Sequence, residues 1–198
     1  MFALIDNEQI TKHISGNKGI TIGDVQYPRS IFTLWSEAER NAIGIYVITI
    51  DTTNKKDEKY YINTNVSYGV ESNKAVGSYG TATAKALADA NATDDDGVEL
   101  YPVVVIEGLK TKHKRIIKQQ ASGLLTNYDW YVIRKADAGT AVPSAITTYR
   151  AAVRTKSGQM ETAIDNAANV DALATLYEYT EQEDGTFTRP LGEFPEAV

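Results

Sequence analysis

Few side chains in this chain of 198 residues are of the types that perform catalysis. The two histidines are His13 and His113, and cysteine is absent, so thiolate chemistry is excluded and a zinc site has too few ligands. His13 lies beside Lys12 in a predicted loop, without a titratable partner nearby in the sequence, which favours a solvated side chain. His113 falls at the edge of an apolar helix face, which favours a partly buried helix residue. Neither histidine is therefore predicted to act in catalysis.

The acidic run Asp94-Asp95-Asp96-Gly97 offers carboxylate oxygens, which hard cations prefer. It lacks the spaced ligands and the terminal glutamate of an EF-hand loop, so a solvated acidic turn is the favoured interpretation. No nucleophile elbow, P-loop or dinucleotide-binding glycine pattern occurs. The 26 acidic residues leave carboxylate pairs for glycoside hydrolysis open, but no pair stands out. We expect no enzyme: no catalytic residue, no cofactor and no metal.

The composition is that of a globular protein able to bury a core, with 42% hydrophobic and 23% charged residues. Twelve tyrosines against four phenylalanines favour sheet faces and wet interfaces, because tyrosine joins an apolar ring to a polar tip. The first residues lack the basic and apolar regions of a secretory signal, and no segment approaches about 18 uncharged apolar residues. We expect no membrane association. The absence of cysteine allows a reducing compartment or a virion.

The charges are separated along the chain. Residues 109–156 hold 10 basic and 2 acidic side chains, whereas residues 159–198 hold 1 basic and 9 acidic side chains. Such blocks attract each other within a molecule or between subunits. The basic helix face at 109–118 lacks the interleaved aromatic residues that stack on bases, so we expect an acidic partner segment or solvent there, not nucleic acid.

Hydrophobic periodicity predicts an α+β fold. Residues 1–100 form a mainly antiparallel β module in which 2–5 and 10–14 make one hairpin and 45–68 another. Its one short helix is predicted to begin at a capping box, Ser36 with Glu39, and to stop at Gly44. The period becomes helical from Leu109, so residues 101–198 form a helical module, a helical hairpin followed by an acidic extended tail.

One helix of that module is predicted to end in Asp129-Trp130-Tyr131 and the next to begin at Pro143, carrying Ile146, Tyr149, Val153, Met160, Ile164 and Ala167 on one face. Aromatic and arginine side chains are the types that supply most binding energy at interfaces. Trp130 either closes the core between two helices or contacts a partner. The predicted interface residues are Trp35, Arg40, Trp130, Tyr131, Arg134, Tyr149, Arg150 and Arg154.

The C-terminal module carries a familiar pattern. Leu124-Leu125 and Asp129-Trp130 are followed by a spacer with Pro143, then by Tyr149-Arg150 and Val153-Arg154. This order resembles a C-terminal pattern of bacteriophage tail proteins, including tail-fibre-assembly proteins, in which leucine-x-x-threonine-aspartate-tryptophan precedes a helix with tyrosine-arginine. The threonine is displaced here, because Asn127-Tyr128 separates Thr126 from the aspartate.

The N-terminal module adds a second resemblance. Tyr27-Pro28-Arg29 leads to Trp35, and Glu39-Arg40-x-Ala42-Ile43-Gly44-Ile45 follows. This is similar to a module of phage tail and tail-fibre-associated proteins, particularly of phages that infect marine bacteria. The two matches cover residues 27–50 and 124–154 and include no catalytic pattern.

The resemblance implies a phage protein tied to the tail or its appendages, located in the virion and assembled in the host cytoplasm. A structural component that binds other tail and fibre proteins, and forms a homo-oligomer in the particle, is the first hypothesis. A tail-fibre assembly chaperone that stays outside the virion is the second. Capsid decoration and a carbohydrate-active appendage remain lower alternatives.

Overall fold

The computed structural model describes residues 1–198 and divides the chain into two compact units, Met1–Thr83 and Ala84–Val198. Strands dominate the first unit and helices the second, which confirms the α+β class with an antiparallel-rich N-terminal sheet. No helix of the structure combines the length and the apolar character that crossing a membrane requires.

The first unit is built on a five-stranded sheet in the order β2-β1-β5-β8-β7. Two short pairs, β3-β4 and β6-β9, accompany it. Its elements are β1 (Phe2–Asp6), β2 (Gln9–Ile14), β3 (Ile20–Ile22), β4 (Val25–Tyr27), α1 (Ile31–Leu34), α2 (Glu37–Asn41), β5 (Ile45–Asp51), β6 (Tyr61–Ile62), β7 (Val66–Glu71) and β8 (Lys74–Tyr79). The last strand, β9 (Thr83–Ala84), begins at the final residue of this unit.

Two-residue turns join the outer strands of the sheet. Asn7 and Glu8 connect β1 to β2 with φ of 49° and 61°, and Ser72 and Asn73 connect β7 to β8 with φ of 49° and 62°. Positive φ at both central residues is the geometry that matches the twist of a hairpin. The predicted first hairpin is therefore confirmed. His13 lies in β2, not in a loop, and its ring packs edge-on against Tyr68 of β7 at 4.7 Å.

The predicted hairpin at 45–68 is wrong. β5 runs antiparallel to β1 and parallel to β8, with Ile48 opposite Ala75. Only Tyr61–Ile62 of the expected second arm is a strand before β7, and β7 pairs with β8 through its own tight turn. Because that turn forms locally, β8 becomes the strand that joins β5. A continuous β-branched run such as β5 is typical of a central strand with neighbours on both sides.

The main core cluster of the first unit joins β2, β3, α1 and β5, and side chains of β1 pack against it. Ile31 and Ile45 are fully buried, and Phe32 packs on Phe2 with 5.0 Å between ring centroids. The predicted capping box is confirmed, because the backbone N–H of Ser36 donates to Glu39 Oε2 at 2.7 Å and that of Glu39 donates to Ser36 Oγ. Hydrogen bonds from Ser36 hold the pKa of Glu39 below its ordinary value.

Three helices form the body of the second unit, where a helical hairpin was expected. The long helices α3 and α5 pack against each other, and α4 lies between them in sequence. The unit comprises β10 (Ala90–Asn91), β11 (Val105–Ile106), α3 (Leu109–Thr126), α4 (Asp129–Ala138), α5 (Ser144–Asn166), α6 (Val170–Thr175), β12 (Thr180–Glu181) and β13 (Phe187–Thr188).

The expectation that Asp129-Trp130-Tyr131 ends a helix is wrong, because these residues begin α4. The helix breaks at Asn127 and Tyr128, which leaves Asp129 in the first turn of α4, where a negative charge is favourable. The apolar stripe of α5 is confirmed by the burial of Ile146, Tyr149, Val153, Met160 and Ile164.

The division between the units lies earlier in the chain than the predicted one at residue 100. Residues 86–89 cap the start of α3: the carbonyls of Ala86 and Leu87 accept from the N–H groups of Leu109 and Lys110. Asp89 accepts from the N–H of Gly108 at 2.8 Å and from Thr111 Oγ1 at 2.9 Å. These hydrogen bonds, invisible to hydrophobic periodicity, join residues 84–106 to the helical unit.

Gly108 gives the first test of this junction. A Cβ at this position would lie 2.3 Å from the carbonyl oxygen of Ala88, so we expect Gly108→Ala to destabilise the helical unit by about 1–3 kcal/mol. Gly158 lies inside α5 and faces open space, so Gly158→Ala is expected to stabilise it by about 0.5–1 kcal/mol. Urea denaturation, monitored by the circular dichroism signal of the helices, measures the free energy of unfolding of both variants. Equal changes in stability for the two variants would contradict the capping role of residues 86–89.

Candidate protein-interaction surface of the helical unit

The eight predicted interface residues lie in two places. Trp35 and Arg40 belong to the first unit, and the other six to the second. Trp35 is partly buried, edge-on to Tyr27 at 5.9 Å, and its carbonyl accepts from Arg40 Nη1. The guanidinium of Arg40 lies 5.5 Å from the ring centroid of Phe2. Both side chains therefore make their contacts inside the first unit.

Arg150 joins three helices in the second unit. Its side chain is buried on α5, and Nη1 donates to the carbonyl of Leu125 at 2.7 Å near the end of α3. The same nitrogen lies 2.8 Å from Asp129 Oδ1 in the first turn of α4. A buried guanidinium requires such partners because desolvation is costly. Asp129 is thus a structural partner of Arg150. The predicted interface did not include it, because that prediction considered only aromatic and arginine side chains.

Tyr149 precedes Arg150 and fills the space between α3 and α5. Its ring packs at 5.2 Å from that of Tyr128, in a cluster that contains Ala121, Val153 and Phe194. The hydroxyl of Tyr149 is buried and has no hydrogen-bond partner. Burial, followed by the neighbouring Tyr128, raises the pKa of Tyr149 above its ordinary value. Tyr149 is a core residue and not a surface contact.

The side chains of α4 differ from the buried Tyr149 of α5, because none of them is buried. Trp130 remains 49% exposed and Ile133 67% exposed. The guanidinium of Arg134 lies 4.6 Å from the Trp130 ring and 5.3 Å from the Tyr131 ring, so cation–π contacts hold this group together. We call Trp130, Tyr131, Ile133 and Arg134 the aromatic platform. It brings together three of the predicted interface residues.

Two open clefts flank Arg150. One, of about 440 Å³, lies between α3 and α5 and includes Asp129 and Glu161. The other, of about 320 Å³, lies between α4 and α5. Arg154 lines both; it is exposed, and its Nη1 makes one long hydrogen bond, 3.4 Å, to the carbonyl of Arg150. One turn of helix therefore separates a buried arginine from an exposed one.

The basic face of α3 is partly matched by the acidic end of α5. Lys114 pairs with Asp165 at 2.7 Å and Lys118 with Glu161 at 3.4 Å. The hydrogen bond to Asp165 raises the pKa of Lys114 above its ordinary value. Exposed pairs of this kind contribute little stability each, but they show that the two charge blocks meet within the unit.

The remaining candidates for chemistry have structural contacts. His113 Nδ1 lies 2.8 Å from Tyr177 Oη. Asp94 Oδ1 accepts from the N–H groups of Asp96 and Val98, which closes the acidic turn. No group of three or more His, Cys, Asp or Glu side chains is placed to hold a metal ion.

No protein-family model, curated protein or solved structure matches this chain. Two features of the helical unit bear on function, the buried Arg150 and the exposed aromatic platform.

Replacing the buried arginine tests its structural role. Arg150→Met is expected to destabilise the helical unit by about 1–3 kcal/mol, because the carbonyl of Leu125 and the carboxylate of Asp129 lose their partner. Arg154→Met, four residues later and exposed, is the matched control and should change stability by less than about 0.5 kcal/mol. Chemical denaturation of both variants measures their free energies of unfolding. Comparable losses of stability in the two variants would refute the special role of Arg150.

At the neighbouring Tyr149 we expect a substitution to change stability in the opposite direction. Tyr149→Phe removes a buried hydroxyl without a partner, so stability should stay the same or rise by up to about 1 kcal/mol. The same denaturation experiment measures it. A loss of more than about 1 kcal/mol would mean that the hydroxyl is hydrogen-bonded in solution.

Proposed function

We propose that this protein is a structural component of a bacteriophage tail or tail appendage and acts by binding neighbouring proteins. The observation that carries the proposal is the aromatic platform, which exposes Trp130 and Ile133 on a helix that buries no side chain of its own. The resemblance of residues 27–50 and 124–154 to phage tail and tail-fibre-associated proteins supplies the biological setting.

The platform has the physical properties of a binding surface. Tryptophan, tyrosine and arginine supply most of the energy at protein interfaces, and they do so best when held rigid before binding. Arg134 is stacked on both rings, and Arg150 holds the first turn of α4 through Asp129. A partner would therefore meet a largely ordered surface, and little side-chain entropy would be lost on contact.

The second candidate is a tail-fibre assembly chaperone that does not remain in the particle. The segment at 124–154, which contains the platform, is the part of the chain that resembles tail-fibre-assembly proteins. An assembly factor uses the same kind of surface but releases its partner. In both cases the partners are other tail or fibre proteins, and the site of assembly is the host cytoplasm.

Mass spectrometry of purified particles separates the two candidates. A structural component should be present in a fixed number of copies per particle, and it should survive washing in high salt. A chaperone should be absent from particles and should co-purify with unassembled fibre from infected cells. Absence from both fractions would overturn the proposal.

The platform itself is tested by Trp130→Ala. Because the side chain is half exposed, we expect stability to fall by less than about 1 kcal/mol. Binding should weaken by about 2 kcal/mol or more, roughly 30-fold, if Trp130 is a central contact. The amount of variant protein recovered with particles, or with unassembled fibre, measures the effect.

Leu34→Ala is the matched control, since Leu34 is 79% exposed but lies in the first unit. It should leave recovery unchanged. Normal recovery of Trp130→Ala would remove the platform from the proposal.

A further inference from the structure

The cleft between α4 and α5 has an unusual distribution of charge. Every charged side chain in its lining is a cation, and the remaining lining is mainly apolar. Its volume of about 320 Å³ lies at the lower end of the range for ligand pockets, roughly 300–1,000 Å³. We call it the cationic cleft; it is lined by Val132, Lys135, Ala141, Val142, Thr147, Arg150 and Arg154.

Two of the three cations are available to a partner. Arg150 is buried and already bonded to Asp129 and to the carbonyl of Leu125. Lys135 and Arg154 are exposed and take part in no ion pair within the chain. Because a guanidinium presents a planar set of donors, Arg154 can bind a carboxylate through two parallel hydrogen bonds. The cleft therefore suits an acidic group that adjoins an apolar one.

The same chain presents such a group on its surface. The hairpin of β12 and β13 carries Glu181, Glu183 and Asp184, and its Phe187 is 61% exposed. Asp184 closes the turn by accepting from the N–H and the hydroxyl of Thr186. Glu181 and Glu183 form no ion pair within the chain. We call residues 180–188 the acidic hairpin.

We propose that the cationic cleft of one copy binds the acidic hairpin of a second copy. The carboxylates of Glu181 and Glu183 then meet Lys135 and Arg154, and the ring of Phe187 covers the apolar walls formed by the valines of the cleft. The cleft and the hairpin are thus complementary both in charge and in their apolar surfaces, whereas a simple anion would match only the charge. This inference goes beyond the proposed function and does not depend on it.

The geometry of such an assembly follows from its two different surfaces. Each copy offers one cleft and one hairpin, so the contact is head-to-tail. Contacts of this type close into a ring if the rotation between copies allows it and otherwise extend into a filament. Salt should weaken the contact, because part of it is attraction between exposed charges.

Sedimentation of the purified protein over a range of concentrations tests the proposal. We expect the wild type to self-associate in a concentration-dependent and salt-sensitive manner. The pair Lys135→Glu with Arg154→Glu should weaken association at least about tenfold, and so should the pair Glu181→Lys with Glu183→Lys. Phe187→Ser should weaken it as well, because the apolar contact is lost.

Restoring the charge match is the decisive step. A chain with all four reversals carries an acidic cleft and a basic hairpin, so it should regain self-association. A mixture of the two double variants should also associate. Controls are Lys112→Glu and Asp95→Lys, which reverse exposed charges outside both surfaces, and Leu34→Ser for Phe187→Ser.

Three results would overturn the proposal. They are a wild type that is monomeric at every concentration, double variants that associate normally, and a variant with all four charge reversals that remains monomeric. Circular dichroism of each variant confirms that the fold is intact. Because the experiment uses purified protein alone, its outcome is independent of whether the protein occurs in phage particles.

Discussion

The helical unit depends on one buried cation. Arg150 cannot leave water without partners, and its only ones lie at the carbonyl end of α3 and in the first turn of α4. Because α4 buries no side chain of its own, the contact with Arg150 defines where this helix starts. Its other end is set by Gly139, which has a left-handed conformation with φ of 70°. The exposure of Trp130 is a consequence of that arrangement, since no core contact draws the ring inward.

Much of the fold could be predicted from the sequence wherever the determining interactions are local. The capping box of α2 joins residues three apart, and the apolar stripe of α5 repeats with the period of a helix, so both were predicted correctly. The parallel partner of β5 could not be predicted, because it follows from a turn at Ser72 and Asn73 that places β8 beside it. Nothing within β5 itself encodes the identity of its neighbour.

The candidate site was less predictable, because residue type alone does not determine environment. Arg150 and Arg154 lie one turn apart on the same helix, yet the first is buried and the second exposed. Trp35 and Trp130 are the same amino acid, but only Trp130 lies on a helix without buried side chains. The difference comes from which helix packs alongside. Asp129 and the backbone of Leu125 decide the role of Arg150, and neither is distinctive in the sequence.

The ring contact between His13 and Tyr68 has a consequence for how copies of this molecule meet. These residues lie on β2 and β7, the two outermost strands of the five-stranded sheet, and those strands approach each other. Unpaired sheet borders attract foreign strands and so promote aggregation. Here the rings of His13 and Tyr68 occupy the space beside both borders, which leaves less room at that point for an incoming strand.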